Sequence, residues 1–141
     1  MAPNKGRAFF GLSGYHFNPE DVTRIIGLEP TSTNAAGMAA GLDKPAISSW
    51  EISTETVIGD EAEVDVYKLT EIILKKLEPV KDEIIQVCKS HNLSPRISVV
   101  LTLSTDKGDT CPDVGFGGRL VKFLADIGAF INIDYEISDR V

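Results

Sequence analysis

The order of elements readable in this sequence predicts an α+β domain, an antiparallel sheet of four to five strands with helices packed on one face. Three observations carry that reading. The residues Ile131, Ile133, Tyr135 and Ile137 alternate with Asn132, Asp134 and Glu136, a strand with one dry and one wet face. Between the strands lie segments with apolar residues at three- and four-residue spacing, the signature of amphipathic helices. The chain has 141 residues, 43% of them apolar, which suits a single domain spanning 1–141 that buries a core without disulfide or metal staples.

The first strand is Arg7 to Ser13, with Ala8, Phe10 and Leu12 on one face. A helix follows. Asn18 is placed to cap it, Pro19 suits the first helical position, and Glu20 and Asp21 favour the positive end of the helix dipole. Val22, Ile25 and Ile26 form its apolar stripe, and Gly27 with Pro30 ends it. From Thr31 to Ala46 no period survives, so this stretch is expected to be a long connection. Ile47 to Ser53 resumes as a strand with Trp50 and Ile52 on one face.

An acidic stretch, Glu55 to Asp65, leads into the longest helical pattern, for which Asp65 is the expected cap. Val66, Leu69, Ile72, Ile73 and Leu77 are expected on its buried face, with Lys68, Glu71, Lys75 and Lys76 largely opposite. Glu78-Pro79 restarts a helix whose stripe is Ile84, Ile85, Val87 and Cys88, stopped at Asn92. Ile97 to Ser104 is a strand and Asp106 to Asp109 a turn. Pro112 to Phe116 is expected to add a short edge strand. Leu120, Phe123, Leu124 and Ile127 mark a last helix, closed by Gly128, before the alternating strand. Strand, helix, glycine and strand thus occur at 7–53 and again at 97–137, which suggests a ferredoxin-like pair of halves with an extra helix between them.

Several of these segments, taken in order, resemble the domain-of-unknown-function family numbered 4279. They are Ile26-Gly27-Leu28-Glu29-Pro30-Thr31, Gly37, Ser49-Trp50-Glu51-Ile52, a helical hairpin ending near His91, and Ile127 to Asp134. The resemblance implies a bacterial, cytoplasmic protein and carries over no functional residue.

Charge and composition narrow the function. Against 14 basic residues stand 21 acidic ones, a net charge of −7, which opposes binding to phosphate backbones; no nucleic-acid partner is expected. No apolar run is long enough to span a bilayer, so no membrane partner is expected either. Met1 to Lys5 lacks a signal-peptide core, from which a cytoplasmic location is expected.

Four constellations invite chemistry. The loop before Trp50 returns beside an aromatic, so Tyr15, Thr31, Thr33 and Trp50 are candidate ligand-binding residues, although a tryptophan is more often core than contact surface. Asp60, Glu61 and Glu63 lack calcium-loop spacing and read as a solvated stretch or as a docking surface for a basic protein. Cys88 and His91 share a helix end but have no second ligand pair, so no metal site is expected. Cys111 is the better candidate for an exposed thiol, yet lacks a neighbouring base in sequence. Gly115 to Gly118 lacks both dinucleotide and P-loop spacing. With no nucleophile motif and two histidines, no catalytic residue and no cofactor are expected. The sequence therefore predicts a non-catalytic binding or protein-interaction domain, with a basic protein or a second copy as partner. The alternative is a small-molecule-binding or enzymatic domain centred on residues 31–50.

Overall fold

A computed structural model describes residues 3–35, 47–59, 63–105 and 111–138. In chain order the elements are β1 (Lys5–Tyr15), α1 (Pro19–Ile26), β2 (Ser32–Asn34), β3 (Ile47–Ser53), β4 (Val57–Ile58), α2 (Val66–Leu77), a 3-10 turn (Glu78–Val80), α3 (Lys81–His91), β5 (Ser94–Leu103), α4 (Gly118–Ile127) and β6 (Phe130–Ile137). The helix punctuation follows local chemistry. Asn18 accepts a bond from the Glu20 N–H and Asp65 from that of Lys68, while Gly27, Asn92 and Gly128 end their helices in the left-handed region.

The sheet runs β2-β3-β1-β5-β6, with β4 paired to the start of β1 at Lys5↔Ile58 and Gly6↔Val57. It is mixed, not purely antiparallel: β6 runs parallel to β5. The physical reason is α4. A helical crossover returns the chain to the same end of the sheet, so the next strand must start in the same direction as the last. In the first unit the strand after α1 is β2, which also runs the same way as β1, but β3 turns back and lies between them, antiparallel to both, so the two halves differ in which strands are neighbours. The strand count is six because β2 and β4, of three and two residues, are too short to show an alternation. The expected strand at Pro112–Phe116 does not form. The place beside β5 is taken by β6, which leaves that segment no central partner.

Ala8, Phe10 and Leu12 of β1, Trp50 and Ile52 of β3, and Ile97, Val99 and Leu101 of β5 project to one side, under the helices. Val22 and Ile26 of α1, Leu69, Ile73 and Leu77 of α2, Ile84 and Val87 of α3, and Leu120 to Ile127 of α4 meet them in one cluster. Each fully buried aliphatic or aromatic side chain contributes about 1.5–3 kcal/mol. Ile72 is the exception on α2. It is 46% exposed, because it lies about 100° or more around the helix from Ile73 and Leu77, on the stripe shared with Lys68 and Lys75. Among the described residues no helix is long and apolar enough to cross a membrane.

Candidate functional site

The distinctive surface of this domain begins where α4 ends. Gly128 takes φ +73°, and the Ala129 N–H closes the helix on the Leu124 carbonyl at 2.8 Å, so the chain reverses at once into β6. Parallel register sets Ile131 beside Ile97, Ile133 beside Val99, Tyr135 beside Leu101 and Ile137 beside Leu103. These four residues therefore continue the core row onto the edge strand. Yet Ile97 and Val99 are fully buried, whereas Ile133 is 41% and Tyr135 68% exposed. Among the described residues the helical layer lies over the middle of the sheet, α2 against β1 and α1 against β3, and leaves the side chains of β6 largely exposed. The face that the alternation marks as dry is thus left uncovered among the described residues. On the other face Asn132 donates to Asp134 at 3.2 Å, and Asp134 and Glu136 are exposed. Among the described residues no strand pairs with the outer edge of β6.

Beside β6, the face of the sheet turned away from the helices holds a polar network. Phe9, on this face, is nonetheless only 7% exposed. Arg7 and Arg96 shield it, their guanidinium carbons 5.1 and 5.5 Å from its ring centre, within cation–π range. Arg96 donates to Ser13 Oγ and to Glu51 Oε2, the latter at 3.4 Å, and Ser32 donates to Glu51 Oε1. Arg7 donates to Ser53 Oγ at 3.3 Å. Gly11 makes room for this arrangement: a Cβ there would stand 3.2 Å from the Arg96 guanidinium carbon. Ser98, paired in register with Phe9, has a buried Oγ with no hydrogen-bond partner among the described residues.

The residues singled out from sequence do not gather into one site. Trp50 is fully buried, and its Nε1 donates to Thr23 Oγ1 at 3.0 Å. Thr31 is used structurally, its Oγ1 accepting the Ser53 N–H at 2.9 Å. Thr33 pairs with Trp50 in the β2–β3 register and borders a surface hollow of about 310 Å³ with Pro19, Thr23 and Pro30. Tyr15 is 63% exposed at the far end of β1, in register with Ile47 and on the opposite face from Trp50. Asp60 and Glu61 lie outside the described residues, and Glu63 is exposed just ahead of α2. Cys88 is partly buried, which pushes its thiol up to about 11, and Cys111 is exposed. His91 meets Ser90 Oγ at 2.8 Å and stands 4.0 Å from Asp21, tying α3 to α1. Among the described residues no three His, Cys, Asp or Glu side chains come together as a metal site.

The comparison with known families now has its geometry. The model of the Domain of unknown function (DUF4279) family matches residues 4–138. The chain belongs to that family. The match covers every strand and helix described above, from β1 to β6, so the edge strand and its exposed row lie within the family domain. No curated protein matches the chain, and no solved structure does.

What sequence reading missed is the open-face network and the exposure of β6. Arg7, Glu51 and Arg96 are each more than forty residues from the next, and no spacing rule links them. The period-two pattern of β6 was visible, but a period reports which residues share a face, not whether anything covers it.

Proposed function

We propose that this chain is a non-catalytic protein-interaction domain that accepts a basic, alternating segment of a partner as an added strand along β6. The observation that carries the reading is the uncovered apolar row of Ile131, Ile133, Tyr135 and Ile137 on an edge strand of eight residues. A long, exposed, apolar edge is a template for pairing, and strand addition supplies main-chain hydrogen bonds together with alternating side-chain contacts. The partner's residues on one side would cover the apolar row. Those on the other would meet Asn132, Asp134 and Glu136, whose two carboxylates select lysine or arginine. The chain's net charge of −7 draws such a partner in and disfavours a second copy.

The test is fluorescence anisotropy with a labelled octapeptide of alternating valine and lysine, against the same peptide with glutamate for lysine. The basic peptide is expected to bind in a salt-sensitive manner. Asp134→Lys with Glu136→Lys should weaken it by about tenfold and reverse the preference toward the acidic peptide. Equal binding of both peptides, or an unchanged preference in the double variant, refutes the reading. So does a homodimer that occupies β6, seen as dimeric mass at working concentration that Ile133→Lys abolishes.

A further inference from the structure

We infer that the groove between α2 and α4 is a second binding site, one for a small organic anion with an apolar body. It lies in the helical layer and does not depend on the strand-addition reading. The groove encloses about 540 Å³, within the range of about 300–1,000 Å³ typical of small-ligand sites. Tyr67 and Ile72 from α2 and Leu120 from α4 supply its apolar lining. Tyr67 and Ile72 are 50% and 46% exposed, so a ligand's apolar body would remove from water surface that the fold leaves wet.

The charges in the lining are arranged unevenly. Arg119 is bonded to Glu71 at 3.3 Å and to Glu78, two carboxylates that more than balance its charge, and the Glu71 pair clamps α4 against α2. Lys68 and Lys75 also line the groove, seven residues and two helical turns apart on the Ile72 stripe. Among the described residues neither has a carboxylate within ion-pair distance. Two uncompensated ammonium groups thus flank an apolar hollow in a chain whose net charge is −7. Arg24 is matched with Asp21, and Lys81 and Lys122 both with Asp126; Lys76 and Lys89 also lack an ion pair among the described residues, but neither lines the groove. Gly117, which caps α4 without a side-chain acceptor, borders the same groove and adds to its positive potential. A carboxylate or phosphate ester with an apolar body satisfies both features together. A bare anion gains only the charge, and a neutral body only the burial.

The experiment is an amide NMR titration with four probes: phenylbutyrate, phenyl phosphate, phenylbutanol and acetate. One or both apolar anions are expected to shift Tyr67 to Lys75 and Gly117 to Leu120 saturably, and the tighter of the two identifies the head group. Phenylbutanol and acetate should each bind about tenfold more weakly or worse. Lys68→Glu with Lys75→Glu should weaken the anions by tenfold or more, and Lys68→Gln with Lys75→Gln by less. Both lysines are exposed, so the variants' spectra should otherwise match the parent. The inference is overturned if phenylbutanol binds as tightly as phenylbutyrate or if the Glu variant binds unchanged. It is also overturned if saturable shifts are absent into the millimolar range or fall on β6 instead.

Discussion

Thr23→Val tests the hydrogen bond of the buried Trp50 indole. Trp50 is fully buried between β3 and α1, so water cannot reach its indole N–H, and Thr23 Oγ1 accepts from it at 3.0 Å. Valine keeps the shape and the β-branch of threonine, and the two have similar helix propensity. Packing is therefore nearly constant; the change removes the acceptor of an inaccessible donor and, with it, the longer bond of 3.3 Å that Thr23 Oγ1 donates to the Pro19 carbonyl, which keeps its place at the start of α1. Such an orphaned group costs about 1–3 kcal/mol. At about 2.1 cal/mol/K of unfolding entropy per residue, a chain of 141 residues loses roughly 3 °C of Tm per kcal/mol. The expected fall is thus about 3–10 °C. Trp50 is the sole tryptophan, so its own emission reports thermal and urea unfolding without a label. Thr23→Ser restores the hydroxyl at the cost of a methyl group and should recover most of the loss. A valine variant as stable as the parent, or a serine variant no better than valine, refutes the assignment of that energy to the indole bond.

Two further outcomes follow from the ionisable groups. With its thiol pushed up to about 11 by burial, Cys88 is about one part in a thousand thiolate near pH 8, so native labelling should modify Cys111 and spare Cys88 until urea is added; equal rates by mass spectrometry would show that the burial is wrong. Asp126 is held below the usual carboxylate range by its bonds to Lys122 and then Lys81, and Glu78 by Arg119. Their folded values are depressed, so the stability they add is present above the unfolded carboxylate range and is lost as pH falls through the folded values. Asp126→Asn with Glu78→Gln should flatten the acid limb of a urea-midpoint against pH curve, and an unaltered limb would contradict these ion pairs.

Local signals in the chain carried far. Asn18-Pro19, Asp65, Gly27, Asn92 and Gly128 bound their helices through hydrogen bonds and dihedral preferences that involve only near neighbours. The faces of β1, β3 and β5 were equally legible, because a strand's alternation is a property of its own residues. Strand partners were not. The parallel pairing of β5 and β6 depends on where α4 returns the chain, and β2 and β4 are held by β3 and β1 despite having too few residues to announce themselves. The candidate site was half legible: the sequence placed Trp50 in two roles, and burial against α1 makes it part of the core.

Periodicity thus determined which residues point together, and capping chemistry determined where helices begin and end, since both act over a few residues. The tertiary structure alone decided which of those faces is covered. Phe9 sits on the face away from the helices and is buried, because Arg7 and Arg96 arrive from two strands to shield it. Ile133 sits on the core face and is exposed, because among the described residues the helical layer lies over the middle of the sheet. Coverage is a relation between segments distant in the chain, and hydrophobic burial is blind to sequence separation.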